Sequence, residues 1–95
     1  MHQTILDYLD RNNKLIRVVY FEEEISKTKF SYRLGVYEGQ EERWVRTLDN
    51  PLSEGKRIIL GEQLAEHNSI RTPLEDLEKS LEGILKGVMN GGSKT

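Results

Sequence analysis

Thr28-Lys29-Phe30-Ser31-Tyr32-Arg33-Leu34-Gly35-Val36-Tyr37 is the stretch that decides the fold. Phe30, Tyr32, Leu34 and Val36 alternate with Lys29, Ser31, Arg33, Gly35 and Tyr37. Successive side chains of an extended chain point to opposite faces, so the stretch reads as an antiparallel strand, apolar on one face and polar on the other. Its neighbours fit the same sheet. In residues 14–22, Ile16, Val18 and Tyr20 face one way and Leu15, Val19 and Phe21 the other, the pattern of a central strand covered on both sides. Gly39 marks a turn, and residues 42–48 form a third strand, with Trp44, Arg46 and Leu48 on one face. Asp49-Asn50-Pro51 ends it, because proline cannot donate to a ladder and Asp and Asn favour turns. A short fourth strand is expected over residues 56–60, around Ile58-Ile59-Leu60.

Helices are expected at both ends. Thr4 is a candidate N-cap with Asp7 three residues on, Ile5, Leu6 and Leu9 share a side, and Asn12-Asn13 stops the chain: a short N-terminal helix. Thr72-Pro73-Leu74-Glu75 has the pattern of a capping box with proline at the first helical position. Leu74, Leu77, Leu81, Ile84, Leu85 and Val88 then fall on one arc at helical spacing. Residues 61–71 read as a loop with a short helical turn. The expected fold class is α+β: a short N-terminal helix, an antiparallel sheet of about four strands, and a C-terminal amphipathic helix packed on one face. Residues 1–90 make a single domain, and residues 91–95 read as a flexible tail.

Composition narrows the functional classes. The chain has 95 residues, room for one core. Hydrophobic residues are 36% and charged residues 32%, so that core is small. A net charge of -2 argues against a dedicated nucleic-acid coat, which is normally strongly basic. The absence of cysteine removes disulfides, thiolate metal sites and cysteine nucleophiles, and fits a reducing compartment. The N-terminus has neither a basic region nor an apolar run, and no stretch has the length of a membrane span. The expectation is a cytoplasmic protein without a membrane partner, a cofactor or a metal.

Three groups carry candidate chemistry. His67, in Glu66-His67-Asn68, is the candidate general acid/base, since histidine titrates near neutral pH; the alternative is a surface loop histidine. Arg46, between Trp44 and Leu48, reads either as a substrate-facing arginine beside the turn carboxylate of Asp49 or as a structural ion pair, because a buried charge needs a partner. Lys29, Arg33 and Arg43, with Arg17 and the aromatic Tyr37, are candidates for binding RNA on an open sheet face. Their alternative is a solvated face paired with the glutamates at the strand ends.

Lys29-Phe30-Ser31-Tyr32-Arg33, then Trp44-Val45-Arg46-Thr47-Leu48-Asp49-Asn50-Pro51, then Thr72-Pro73-Leu74-Glu75-Asp76-Leu77, resembles the TumE-like toxins of prokaryotic toxin–antitoxin pairs. The resemblance implies a small α+β protein acting on RNA, held by an antitoxin, with Arg46, Asp49, Asn50 and His67 at its site. It departs from the family where a histidine cluster follows the D-N turn; Pro51-Leu52-Ser53 stands here instead. The expected function is a small prokaryotic or phage-type accessory protein resembling such a toxin. The alternative is a non-catalytic interaction module, an inhibitor or adaptor, acting as a homodimer.

Overall fold

A computed structural model describes residues 1–90; the tail at 91–95 lies outside the described residues. Four strands come first, β1 (His2–Leu9), β2 (Leu15–Ser26), β3 (Lys29–Glu38) and β4 (Glu41–Leu48), followed by two helices, α1 (Glu54–Ile70) and α2 (Leu74–Met89). The strands form an antiparallel sheet in the order β1-β2-β3-β4. Each joins the next by a hairpin, the connection antiparallel neighbours allow.

Three expected elements are corrected. The N-terminal segment is a strand, not a short helix. Its alternation is hidden by a β-bulge: Thr4 pairs with Val19 but Leu6 with Val18, so Ile5 is an extra residue. The bulge leaves Ile5 and Leu6, adjacent in sequence, both packed against the core, which imitates helical clustering. Asn12-Asn13 ends no helix. Asp10 Oδ1 accepts the amides of Asn12 (2.8 Å) and Lys14 (2.9 Å), and Asn13 takes a left-handed φ of 61° to close the β1–β2 hairpin. The second correction is residues 56–60, which belong to α1 rather than to a fourth strand. Ser53 caps that helix by accepting the Lys56 amide at 3.2 Å. Leu60 and Leu64, one turn apart, are buried, whereas Ile58 is 57% exposed. That solvent-facing isoleucine blurs the apolar stripe and makes Ile58-Ile59-Leu60 look like strand. Residues 61–71 are then the continuation of α1 up to its cap, Arg71, in the left-handed conformation.

Both helices lie on one face of the sheet. Ile16, Val18, Tyr20, Leu34 and Val36 meet Leu60 and Leu64 of α1 and the arc Leu74, Leu77, Leu81, Leu85 and Val88 of α2. The helices run antiparallel, since Lys56 near the start of α1 donates to the Met89 carbonyl at the end of α2 (3.1 Å). The thinnest dimension, 18 Å, is that of one sheet layer and one helix layer. The capping box does not form: Pro73 is the N-cap of α2, and the Thr72 hydroxyl is bonded to His67 instead.

Tyr20 ties the sheet to the β4–α1 connection. Its hydroxyl donates to Glu22 Oε1 (2.9 Å) and accepts the Leu52 amide (3.0 Å). Burial pushes the Tyr20 hydroxyl up to about 12, and burial does the same for Tyr8, whose hydroxyl donates to the Thr72 carbonyl at 2.7 Å. Replacing Tyr20 by Phe leaves the buried Leu52 amide without an acceptor. Urea titration of Tyr20→Phe is expected to show a loss of about 1–3 kcal/mol; wild-type stability would show that water replaces the hydroxyl freely.

The raised tyrosines also fix an alkaline limit. Unfolded tyrosine ionises near pH 10, earlier than the folded side chains, so the unfolded state gains from proton release first. Stability should hold below about pH 10 and fall as pH climbs towards 12. The urea midpoint should follow that course, with a shallower decline in Tyr20→Phe.

Candidate functional site

The candidate residues occupy three separate places. Arg46 projects from β4 on the helix-covered side and pairs with Glu82 of α2, not with Asp49; both side chains are partly exposed. Asp49 and Asn50 are exposed in the β4–α1 connection, beside a hollow of about 200 Å³ formed with Pro51, Leu52, Lys56, Met89 and Asn90. His67 stands near the other end of α1. At 1.5 Å per residue, the helix separates its start from His67 by roughly 20 Å. His67 is half-buried, with Nδ1 3.0 Å from the Thr72 hydroxyl. The structure therefore does not bring Arg46, Asp49 and His67 to one point. Among the described residues no cluster of three or more His, Asp or Glu has metal-holding geometry.

Around His67 lies a polar knot that joins the two ends of the domain's chain path. The Arg71 guanidinium donates to the carbonyls of Leu9 (3.0 Å) and Asp10 (2.6 Å) and to the Asn13 side chain (2.8 Å). The Arg71 carbonyl accepts the Arg11 amide at 3.0 Å. One arginine thus clamps the β1–β2 turn to the helix hairpin. No local sequence pattern marks it, because its partners are about 60 residues away.

The basic candidates separate in the same way. Lys29 is exposed at the β2–β3 turn, opposite Ser26. Arg43 is the extra residue of a bulge, since Val36 pairs with Trp44 and Tyr37 with Glu42, and it is held by Glu38 at 2.9 Å. Arg33 lies on the face that the helices leave uncovered, where it belongs to an ordered set of rows.

Pairing aligns side chains across a sheet, so the register defines those rows. His2, Phe21, Arg33 and Thr47 form one; Thr4, Val19, Gly35 and Val45 the next; Asp7, Arg17, Tyr37 and Glu42 the third. Phe21 and Val19 are each only 5% exposed although no helix covers them. The Arg33 guanidinium lies 3.8 Å from the Phe21 ring centroid, and Glu42 (2.5 Å) and Glu23 (3.9 Å) hold it there. His2 packs edge-on against Phe21 at 4.6 Å. Gly35 makes this arrangement fit: a Cβ there would collide with the Glu42 carboxylate and stand 3.3 Å from the Phe21 ring. Arg17 lies 5.0 Å from the Tyr37 centroid and, among the described residues, has no ion-pair partner. Between these groups is a hollow of about 280 Å³ lined by His2, Thr4, Arg17, Val19, Phe21 and Tyr37. Val19 and Phe21 appeared in the sequence as the second apolar face of a central strand. The missed signal was that this face has no helix to meet it.

The Arg46–Glu82 contact has a measurable consequence. A partly exposed pair contributes little, so a double-mutant cycle with Arg46→Ala and Glu82→Ala should give a coupling below about 1 kcal/mol. A larger coupling would mark Arg46 as a structural anchor between β4 and α2.

No family model, curated protein or solved structure matches the chain.

Proposed function

We propose that this protein is a non-catalytic interaction module, an inhibitor or adaptor, that holds a protein partner on the uncovered face of its sheet. One observation carries the reading: an apolar floor of Val19 and Phe21 open to no helix, roofed by side chains and framed by charges of both signs. That is the anatomy of a protein interface, with an aromatic centre, arginines and a polar rim. The hollow beside Tyr37 has room for an anchoring side chain. The charge balance of the face supports a protein over a polyanion. Arg17, Arg33 and Arg43 are matched by Asp7, Glu23 and Glu42, so the face carries no positive excess to draw phosphates.

Arg17 supports a second reading. Lying over the Tyr37 ring and, among the described residues, without an ion-pair partner, it offers a cation beside an aromatic ring, as single-stranded RNA requires. This is where the resemblance to TumE-like toxins would find its substrate, with an antitoxin as the protein partner. The cytoplasm, where such pairs act, is the proposed location, and no helix among the described residues is long and apolar enough to cross a membrane.

Capture on immobilised protein separates the readings. A partner retained in stoichiometric amount by the native chain and by Glu78→Lys, on the helix side, should be lost with Arg17→Glu and with Tyr37→Glu. Equal retention by all four proteins would remove the sheet face from the interaction. Binding of labelled single-stranded RNA that weakens steeply with salt and disappears in Arg17→Glu would decide for the second reading.

A further inference from the structure

A sheet has two edges, and this one treats them differently. β1 is bulged at Ile5, and α1 runs against it: an added Cβ at Gly61 would lie 3.6 Å from the Ile5 carbonyl. Bulges and covering helices are common protections against edge-to-edge pairing. β4 has only the Arg43 bulge near its start, and Trp44 to Leu48 then run in regular register without proline. Among the described residues nothing pairs with its outer side.

The hydrogen-bonding parity of that edge follows from the ladder. The Gly39 amide donates to the Leu15 carbonyl, across from β2. In an antiparallel strand the direction of N–H and C=O alternates residue by residue, and the β2–β3 register is unbroken from Glu38 to Phe30. Odd-numbered residues of β3 therefore bond β2, and Gly35 faces Val45 in a non-hydrogen-bonded pair. The amide and carbonyl of Val45 point outward, as do those of Thr47. The Val45 side chain is 48% exposed.

We propose that β4 pairs antiparallel with β4 of a second copy of this chain, about a two-fold axis through Val45, to make a continuous eight-stranded sheet. In this register Val45 meets Val45 of the other copy in a hydrogen-bonded pair. Trp44 meets Arg46, both on the helix-covered side, and Thr47 meets Arg43. Between Arg43 and Thr47 no like charges face each other, and Arg46 lies beside an indole while it keeps Glu82. Other axes fit worse. Centred on Arg46, the two guanidinium groups oppose each other. Centred on Thr47, the pairing runs past the strand end into Asp49 and Asn50. Centred on Trp44, Arg46 comes opposite Glu42, which the bulge has turned to the other face, whereas the Val45 register meets Glu42 only at the strand end, with Leu48. The pairing leaves Arg17, Tyr37 and the hollow untouched, so it stands or falls independently of a partner on that face.

Sedimentation velocity over about 1–200 µM should show the mass moving from that of the 11.0 kDa chain towards twice that value, as expected of a small interface of micromolar affinity. Val45→Lys sets two ammonium groups against each other at the axis and should remain monomeric throughout, with the unfolding midpoint that the native chain has at concentrations where it is monomeric. The register has its own test in a chain without cysteine. Val45→Cys should cross-link to itself under mild oxidation, and Thr47→Cys should form at least tenfold less covalent dimer. A monomer at every concentration, a Val45→Lys variant that associates like the native chain, or equal cross-linking of the two cysteine variants overturns the proposal. In the first case the edge is left to a strand of a different protein.

Discussion

Two helices cannot cover both faces of a four-stranded sheet. Here the arc of Leu74, Leu77, Leu81, Leu85 and Val88, with Leu60 and Leu64, goes to the face carrying Ile16, Val18, Tyr20, Leu34 and Val36. Each leucine so buried contributes roughly 1.5–3 kcal/mol, which makes this contact the dominant favourable term of the fold. Its cost is borne on the other side. β2 is apolar on both faces, so Val19 and Phe21 must be shielded by something other than a helix. The chain uses its own polar side chains, laying Arg33 across Phe21 and fixing it with Glu42 over the space that Gly35 leaves. Long cationic side chains suit this role because an aliphatic stem and a flat guanidinium cover apolar surface while staying hydrated.

The same economy explains the ends of the helix hairpin. A sheet of hairpins offers two rims, and each carries one polar fastening to the helical layer. At one rim Tyr20 receives the Leu52 amide and settles where the chain leaves β4 for α1. At the other, Arg71 reaches three acceptors in the β1–β2 turn, while Tyr8 binds the Thr72 carbonyl. With the helix hairpin fixed at both rims, its leucines are held in one register over the sheet. His67 belongs to the second fastening through Thr72, and this gives the histidine a structural occupation at the place where it stands.

What the sequence disclosed about the fold follows the range of each interaction. β2, β3 and β4 and the leucine arc of α2 are written in periodicity, a property of a few neighbouring residues. β1 was hidden because one inserted residue, Ile5, shifts the alternation halfway along eight. α1 was hidden because Ile58 faces solvent and only Leu60 and Leu64 along 17 residues are buried. The capping box at Thr72 failed for a related reason. The motif supposes a free threonine hydroxyl, and a histidine on the preceding helix competes for it. Each miss is a local pattern overridden by something the pattern does not carry: an inserted residue, an isoleucine turned to solvent, or a histidine competing for the cap.

Candidate sites obey the same rule more strictly. Arg46, Asp49 and His67 are close in sequence terms, two within one strand end and one in the next element, yet a helix of 17 residues lies along the line between them. Convergence of side chains on a reacting atom is a property of tertiary structure, and here the path from Asp49 to His67 runs the length of the helix rather than around a cleft. The residues that do converge, His2, Arg17, Phe21, Arg33, Tyr37 and Glu42, come from four strands and meet because three hairpins put them in register. Their alignment depends on two bulges, at Ile5 and Arg43, each of which inverts the facing of everything beyond it. Without the bulge at Arg43, Glu42 would turn towards the helices, and Arg33 would lose the carboxylate that holds it over Phe21. The surface therefore rests on the two irregularities that a reading by period is least able to see.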